Sequence, residues 1–165
     1  MAKPLAVTLA FTEPLGVFYG AWSAAEVVVD MAVGKLLKLP PEETHLLTAA
    51  MDFSRKIILL KALVARQKPK HQGKIQSALN SILNDSKRNM FAHSYIASRL
   101  DAVSFVERTT HGKYLARRHE FTGPEFRKHV DDFVDAADNL QIALGFTKAD
   151  FAVFSKAAFS ANNSA

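Results

Sequence analysis

Residues 103–125 read VSFVERTTHGKYLARRHEFTGPE, and the fold class turns on how this stretch is parsed. The runs 103–109 and 113–121 are rich in β-branched and aromatic residues. They flank Thr109-Thr110-His111-Gly112, where Gly112 can take the positive φ that a tight turn requires. The spacing predicts a β-hairpin over about 102–121. Directly after it, Gly123-Pro124-Glu125 places a proline and an acid where the first turn of a helix accepts both. Phe126, Val130, Phe133, Ala137, Leu140 and Leu144 then recur at helical spacing, and Gly145 supplies the stop. Thr147-Lys148-Ala149-Asp150 resembles a capping box with Asp at its last position, which predicts a short helix over 151–159.

Upstream of the hairpin the period is helical throughout. Thr12-Glu13-Pro14 reads as a helix start, and Leu15, Phe18, Tyr19, Trp22, Val29, Val33, Leu36 and Leu37 carry one apolar stripe to Pro40-Pro41. A second helix is expected from Pro41, with Leu46, Ala49, Ala50, Phe53, Ile57, Leu60 and Val64 inward, ending before the loop KPKHQG. A third is expected from about Gly73, with Ile75, Leu79, Ile82, Leu83 and Met90 on one side, running on to about His93. The expected fold is therefore mainly α. It is an antiparallel bundle of four long helices with an inserted β-hairpin and a short C-terminal helix. The divisions are an N-terminal arm over 1–12, one helical-bundle domain over 13–160 and a disordered tail over 161–165. Gly16-x-x-x-Gly20 is read as a close helix crossing rather than a site.

The chain has 165 residues, 48% of them hydrophobic and 22% charged, the balance of an ordinary globule. With no cysteine it has no disulfide framework, thiolate metal site or cysteine nucleophile. No stretch reaches the roughly 18 consecutive apolar residues of a membrane span, and the run 5–11 is at the short limit for a signal sequence. A cytoplasmic protein is expected, with no membrane partner. The net charge of +5 is unevenly placed. Residues 1–54 carry three basic and six acidic groups, residues 55–128 sixteen and five, and residues 129–165 two and five, or −3, +11 and −3. The basic middle third is of the kind that meets phosphate, with Lys113, Arg117, Arg118 and His119 as its densest part. The alternative is that these cations are the solvated faces of ordinary helices and strands.

Glycine-rich phosphate loops, G-x-S-x-G elbows and H-E-x-x-H motifs are all missing from the sequence, and no two of the six histidines lie three or four residues apart. Two features remain. Glu26 falls at the centre of the first helix's apolar stripe, so it must be paired, hydrogen-bonded or protonated, either as a structural ion-pair partner or to orient a catalytic group. The second is Ser86-Lys87-Arg88-Asn89-Met90-Phe91-Ala92-His93-Ser94-Tyr95. On a continuous third helix His93 shares the inward side of Ile75, Leu79 and Ile82, with Asn89 and Asp85 one and two turns earlier. Arg88 stands about 140° from His93 on such a helix. An inward histidine of this kind is either a satisfied core residue or a site residue.

Arg88-Asn89-x-x-x-His93 resembles the hallmark of the HEPN superfamily, the higher eukaryotes and prokaryotes nucleotide-binding domain: Arg, a polar residue, a few variable residues, then His, late in a helix of an α-helical bundle. The resemblance covers about residues 13–145 and treats the hairpin as an insertion. It implies a metal-independent endoribonuclease without cofactors that cleaves single-stranded RNA by 2′-OH attack. It also implies a homodimer that brings two motif copies into one cleft. Carried over, His93 would transfer protons, Arg88 would stabilise charge on the scissile phosphate, and Asn89 would fix the imidazole or contact phosphate. Glu26, Asp85 and Tyr95 would support the site, and Lys87, Lys113, Arg117 and Arg118 would hold RNA. Arg88-x-x-x-x-His93-x-Tyr95 also resembles the motif of toxin-type members, whose nucleotidyltransferase antitoxin attaches AMP to the tyrosine. Tyr95 is equally explained as a packing residue. Other members only bind nucleotides, nucleic acids or proteins, so a non-catalytic HEPN-like module is the alternative.

Overall fold

The computed structural model describes residues 9–98, 102–110 and 114–160, except the side chains of Leu9, Ala10, Asp85, Ser98, Thr109 and Thr110. Residues 1–8 of the expected arm over 1–12, residues 111–113 of the hairpin with Lys113, and the tail over 161–165 lie outside the described residues. The protein is mainly helical with a small antiparallel sheet.

Helix α1 (Leu9–Leu37) is the centre of the molecule, packing against the later helices through Phe18, Ala25, Val28, Val29, Ala32 and Val33. It begins one turn before the expected start, so Thr12 is inside the helix rather than its cap. The extra turn is held by Phe11, which is buried with its ring 6.2 Å from Phe126, so apolar burial outweighs the hydrogen bond that Pro14 cannot donate. By length and mean hydropathy (1.2), Phe11–Leu37 could span a bilayer, although 44% of its most apolar window is buried within the fold. It therefore speaks for neither membrane nor cytoplasm.

The expected second helix is two helices, α2 (Pro41–Ala49) and α3 (Phe53–Gln67). Asp52 breaks it by capping α3, its carboxylate accepting from the Arg55 N–H at 2.9 Å. The break removes Leu46 from the core stripe: it is 79% exposed, and Ala49 and Ala50 are exposed as well. What α2 buries instead is Thr44 and Thr48, whose hydroxyls donate back to the carbonyls of Pro40 and Thr44. The close helix crossing also lies elsewhere than expected. Gly16 and Gly20 are exposed with open space around them, whereas a Cβ at Gly34 would overlap the Thr44 hydroxyl.

The expected third helix is broken twice. It becomes α4 (Gln72–Asn80), a π turn (Ser81–Asp85), a left-handed Lys87 at φ 50°, and α5 (Arg88–His93). Strand β1 (Tyr95–Ser98) follows, a strand not foreseen in the sequence. It pairs with β2 (Ala102–Thr110), which pairs with β3 (Tyr114–Thr122), so the expected hairpin is the larger part of a three-stranded antiparallel sheet. Helix α6 (Gly123–Leu144) begins and ends where its caps place it. Thr122 and Glu125 form a capping box, and Gly145 at φ 69° closes the helix. Thr147 and Asp150 exchange the expected reciprocal bonds at the start of α7 (Lys148–Ser160), which packs on α2.

Candidate functional site

The break at Lys87 decides where the Arg-Asn-x-x-x-His segment points. The left-handed residue re-aims the chain, and α5 is then anchored by Met90 and Phe91, both buried. Phe91 meets Phe18 of α1 edge-on at 4.9 Å, Phe105 of β2 at 4.8 Å and Phe126 of α6 at 5.5 Å. The His129 ring stands 5.3 Å from Phe91, and its Nε2 is 3.2 Å from the carbonyl of buried Ser86. Three elements thus fix one short helix.

With α5 so placed, Lys87, Arg88 and Asn89 line a cleft of about 900 Å³. Its other walls are Trp22 and Glu26 of α1, the α2–α3 junction, the end of the π turn, and Glu107 and His119 of the sheet. The Arg88 guanidinium carbon lies 5.6 Å over the Trp22 ring, and its Nη1 donates to Asn89 Oδ1 at 3.3 Å. Lys87 Nζ stands 5.2 Å over the Phe121 ring. His119 Nε2 is 3.7 Å from Glu107 Oε2, an ion-pair distance when the ring carries its second proton.

Three nitrogens on the walls of this cleft, Trp22 Nε1, Arg88 Nε and His119 Nε2, are covered from solvent and have no hydrogen-bond partner among the described residues. Covered in this way they are closed to water and to a ligand oxygen alike, at a cost of roughly 1–3 kcal/mol for each unpaired N–H. Trp22 is 8% exposed, which leaves its indole N–H no route to bulk water. The charge on the walls is mixed. Lys56 is engaged by Asp30 at 2.9 Å and Asp52 by Arg55 at 3.1 Å, while Lys87 and Arg88 share the walls with Glu26 and Glu107.

The residues singled out in the sequence are distributed as follows. Arg88, Asn89, Lys87 and Glu26 share the cleft. Glu26 is half-buried there rather than central in the core, because the buried line of α1 runs through Trp22, Ala25, Val28 and Val29 and leaves Glu26 at its border. His93 is exposed and is not among the cleft's lining residues, since the π turn and Lys87 destroy the helical register with Ile75, Leu79 and Ile82. Tyr95 stands on β1, 62% exposed. The Asp85 side chain and all of Lys113 lie outside the described residues.

The basic run on β3 is split by the pleat. Arg117 lies opposite Glu107, and His119 opposite Phe105, on one face. Arg118 is on the other face, where its Nε donates to Ser104 Oγ at 2.9 Å and its Nη2 is 2.6 Å from Glu120. Trp22, Glu107 and His119 were not foreseen as one site. His119 and Glu107 were within reach, since alternation and the strand register make them diagonal neighbours on one face. Trp22 carried no such signal. Among the described residues no three His, Asp or Glu side chains are grouped closely enough to hold a metal ion.

The chain matches no protein-family model, no curated protein and no solved structure.

Proposed function

We propose that the protein is a HEPN-like, metal-independent endoribonuclease acting on single-stranded RNA in the cytoplasm. In this reading α1, α3, α4 and α6 correspond to the antiparallel bundle of such proteins. The observation that carries it is the cleft around Arg88, where a guanidinium seated on Trp22 shares the walls with Lys87 and Asn89. That donor set suits a phosphodiester, whose oxygens only accept. Arg88 would bind the scissile phosphate and stabilise the charge developing on it. Asn89, through its bond to Nη1, would set the plane of the guanidinium. Lys87 and Arg117 would follow the flanking backbone. The 2′-oxygen would attack phosphorus, leaving a 2′,3′-cyclic phosphate and a 5′-hydroxyl.

His93 fits this scheme from its exposed position if it serves the cleft of a second copy, as in the homodimer that the resemblance implies. The exposed Tyr95 is open to a modifying partner such as a nucleotidyltransferase-type antitoxin. The placement of His93 outside its own cleft also favours a second reading, a non-catalytic HEPN-like module that binds nucleotides, nucleic acid or protein.

One assay separates the two. Single-stranded RNA is incubated in EDTA with wild type, Arg88→Ala and His93→Ala, and the ends are analysed. The first reading expects cyclic phosphate ends from wild type and a loss of roughly 10²–10³-fold in rate for Arg88→Ala. Binding without cleavage by the folded wild type, weakened by Arg88→Ala and indifferent to His93→Ala, would establish the second.

A further inference from the structure

An antiparallel sheet turns alternate side chains to opposite faces, and directly paired residues share a face. Phe105 of β2 packs on Phe91 and Phe126, so its face, with Val103 and Phe121, is the one laid on the bundle. The register then assigns the outward face. Tyr95, Val106 and Arg118 form one row across it, with Ala97, Ser104 and Glu120 in the row behind. Arg108 and Ala116 form the row ahead, and Tyr114 stands in the row beyond that.

Two features set that face apart from a surface kept only for solubility. Tyr95 and Tyr114 are 62% and 68% exposed, and neither makes a ring contact or a hydrogen bond among the described residues. The charge around them is also of one sign. Residues 108–118 hold Arg108, Lys113, Arg117 and Arg118 and no acid. The one carboxylate among the described residues of the outward face, Glu120, is engaged by Arg118 at 2.6 Å and by Ser104 at 3.2 Å. Arg108 is exposed, has no ion pair among the described residues, and occupies the row between those of the two tyrosines. From the strand spacings the two tyrosine positions stand about 16 Å apart.

A single-stranded nucleic acid offers what such a face can use: flat bases that stack on exposed rings, joined by anionic phosphates that meet a free guanidinium. A duplex hides its base faces, and an acidic protein has no comparable stack, so neither would use the rings in this way. Resting on the ribonuclease reading above for the choice of RNA, we propose that the outward face of the sheet is a binding platform for single-stranded RNA. Tyr95 and Tyr114 stack on bases, and Arg108 contacts the phosphates between them. His119 and Glu107, which wall the cleft, stand on the opposite face of the same strands. A strand on the platform is therefore held outside the cleft, by contacts additional to those around Arg88. The sheet then serves on both sides, one as a wall of the cleft and the other as an RNA surface.

The test measures, by fluorescence anisotropy, binding of a short single-stranded RNA whose 2′-oxygens are all methylated, so that it cannot be cut. A duplex of the same sequence and an abasic strand of the same length are run beside it, and cleavage of the unmodified RNA is followed in EDTA. The proteins are wild type, Tyr95→Ala, Tyr114→Ala, Tyr114→Phe and Arg108→Gln. Each tyrosine-to-alanine change should weaken binding of the methylated strand about 5–150-fold, and Tyr114→Phe should stay within about 3-fold of wild type. Arg108→Gln should weaken binding and reduce its salt dependence by about one phosphate contact. The abasic strand should bind wild type more weakly and be indifferent to Tyr114→Ala. Alanine variants that bind the methylated strand as wild type does overturn the platform. So does a loss shared equally by the duplex or the abasic strand, or a loss at Arg108→Gln alone, since either marks a surface for any polyanion, an acidic protein included. If wild type cleaves while binding is independent of the tyrosines, the ribonuclease reading stands and the platform falls. Tyrosine-dependent binding without cleavage does the reverse, and neither binding nor cleavage overturns both.

Discussion

Helix α6 and the segment from α4 to β1 are of similar length and similar apolar spacing, yet one is a single uninterrupted helix and the other is four pieces. The difference lies at their ends. Helix α6 has a reciprocal cap at one terminus and a left-handed glycine at the other, and its buried residues between them form one core stripe. Residues 72–98 have no side-chain cap at the start of α4, π turn or α5, and they must satisfy two neighbours, the bundle through Ile75, Leu79 and Ile82 and the sheet through Phe91. Where the two demands differ in direction, the helix gives way at Lys87. A helix is continuous when one face suffices for all its burial, and it breaks where burial is required in two directions.

Variants can break or sharpen this contrast. The largest effect is expected at Phe91, whose ring joins α5 to α1, β2 and α6. Phe91→Ala should lose about 3–5 kcal/mol in chemical denaturation, a large part of the roughly 5–15 kcal/mol a domain has. It should also displace Arg88 from Trp22, read as a change in tryptophan fluorescence. Leu140→Ala in α6 should leave that signal unchanged, because Leu140 is buried away from the cleft's walls.

Next in size is the α6 cap. Thr122→Ala should cost about 0.5–2 kcal/mol, because the hydroxyl that accepts from the Glu125 N–H and donates to the Glu125 carboxylate is lost. Lys87→Gly is a test of sign. At φ 50° a side chain is strained, so glycine should stabilise by up to about 1 kcal/mol, whereas in one unbroken helix over 72–93 it would destabilise by about that amount.

The smallest effect concerns pH. The Thr122 backbone N–H, and after it the Thr122 hydroxyl, hold the Glu125 carboxyl below its ordinary value, and the Thr147 N–H and hydroxyl do the same for Asp150. A lowered carboxylate pKa contributes stability above the unfolded value and loses it as pH falls through the folded one. The stability difference between wild type and Glu125→Gln should therefore be constant near neutrality and shrink below the ordinary glutamate range, as followed by thermal melts across pH.

Some of this was legible in the residues and some was not, and the division follows range. Thr122, Glu125, Gly145, Thr147 and Asp150 each act on a partner no more than four residues away, and α6 and α7 stand where those residues put them. Asp52 carries the same kind of short-range signal, but it lies inside an apolar periodicity that reads as continuous, and its cap wins because α2 has little to bury past Thr48. Arg117 and Arg118 look like one basic cluster in sequence, yet the pleat sends them to opposite faces and Glu120 pairs with the second. His93 was assigned a side by counting helical steps through a stretch that contains a π turn and a left-handed residue, and the count fails there.

By itself, then, the sequence determined the helical class, the strand pair, the ends of α6 and the start of α7, because propensity, alternation and capping are settled by neighbours along the chain. It also determined which residue types are available for chemistry. Only the tertiary structure decided that Arg88 leaves His93 and joins Trp22, Glu107 and His119 in one cleft. The reason is energetic. The burial of Phe91 among Phe18, Phe105 and Phe126 outweighs the few tenths of a kcal/mol per residue by which a helix prefers to continue, and those partners come from helices and a strand far apart in the chain.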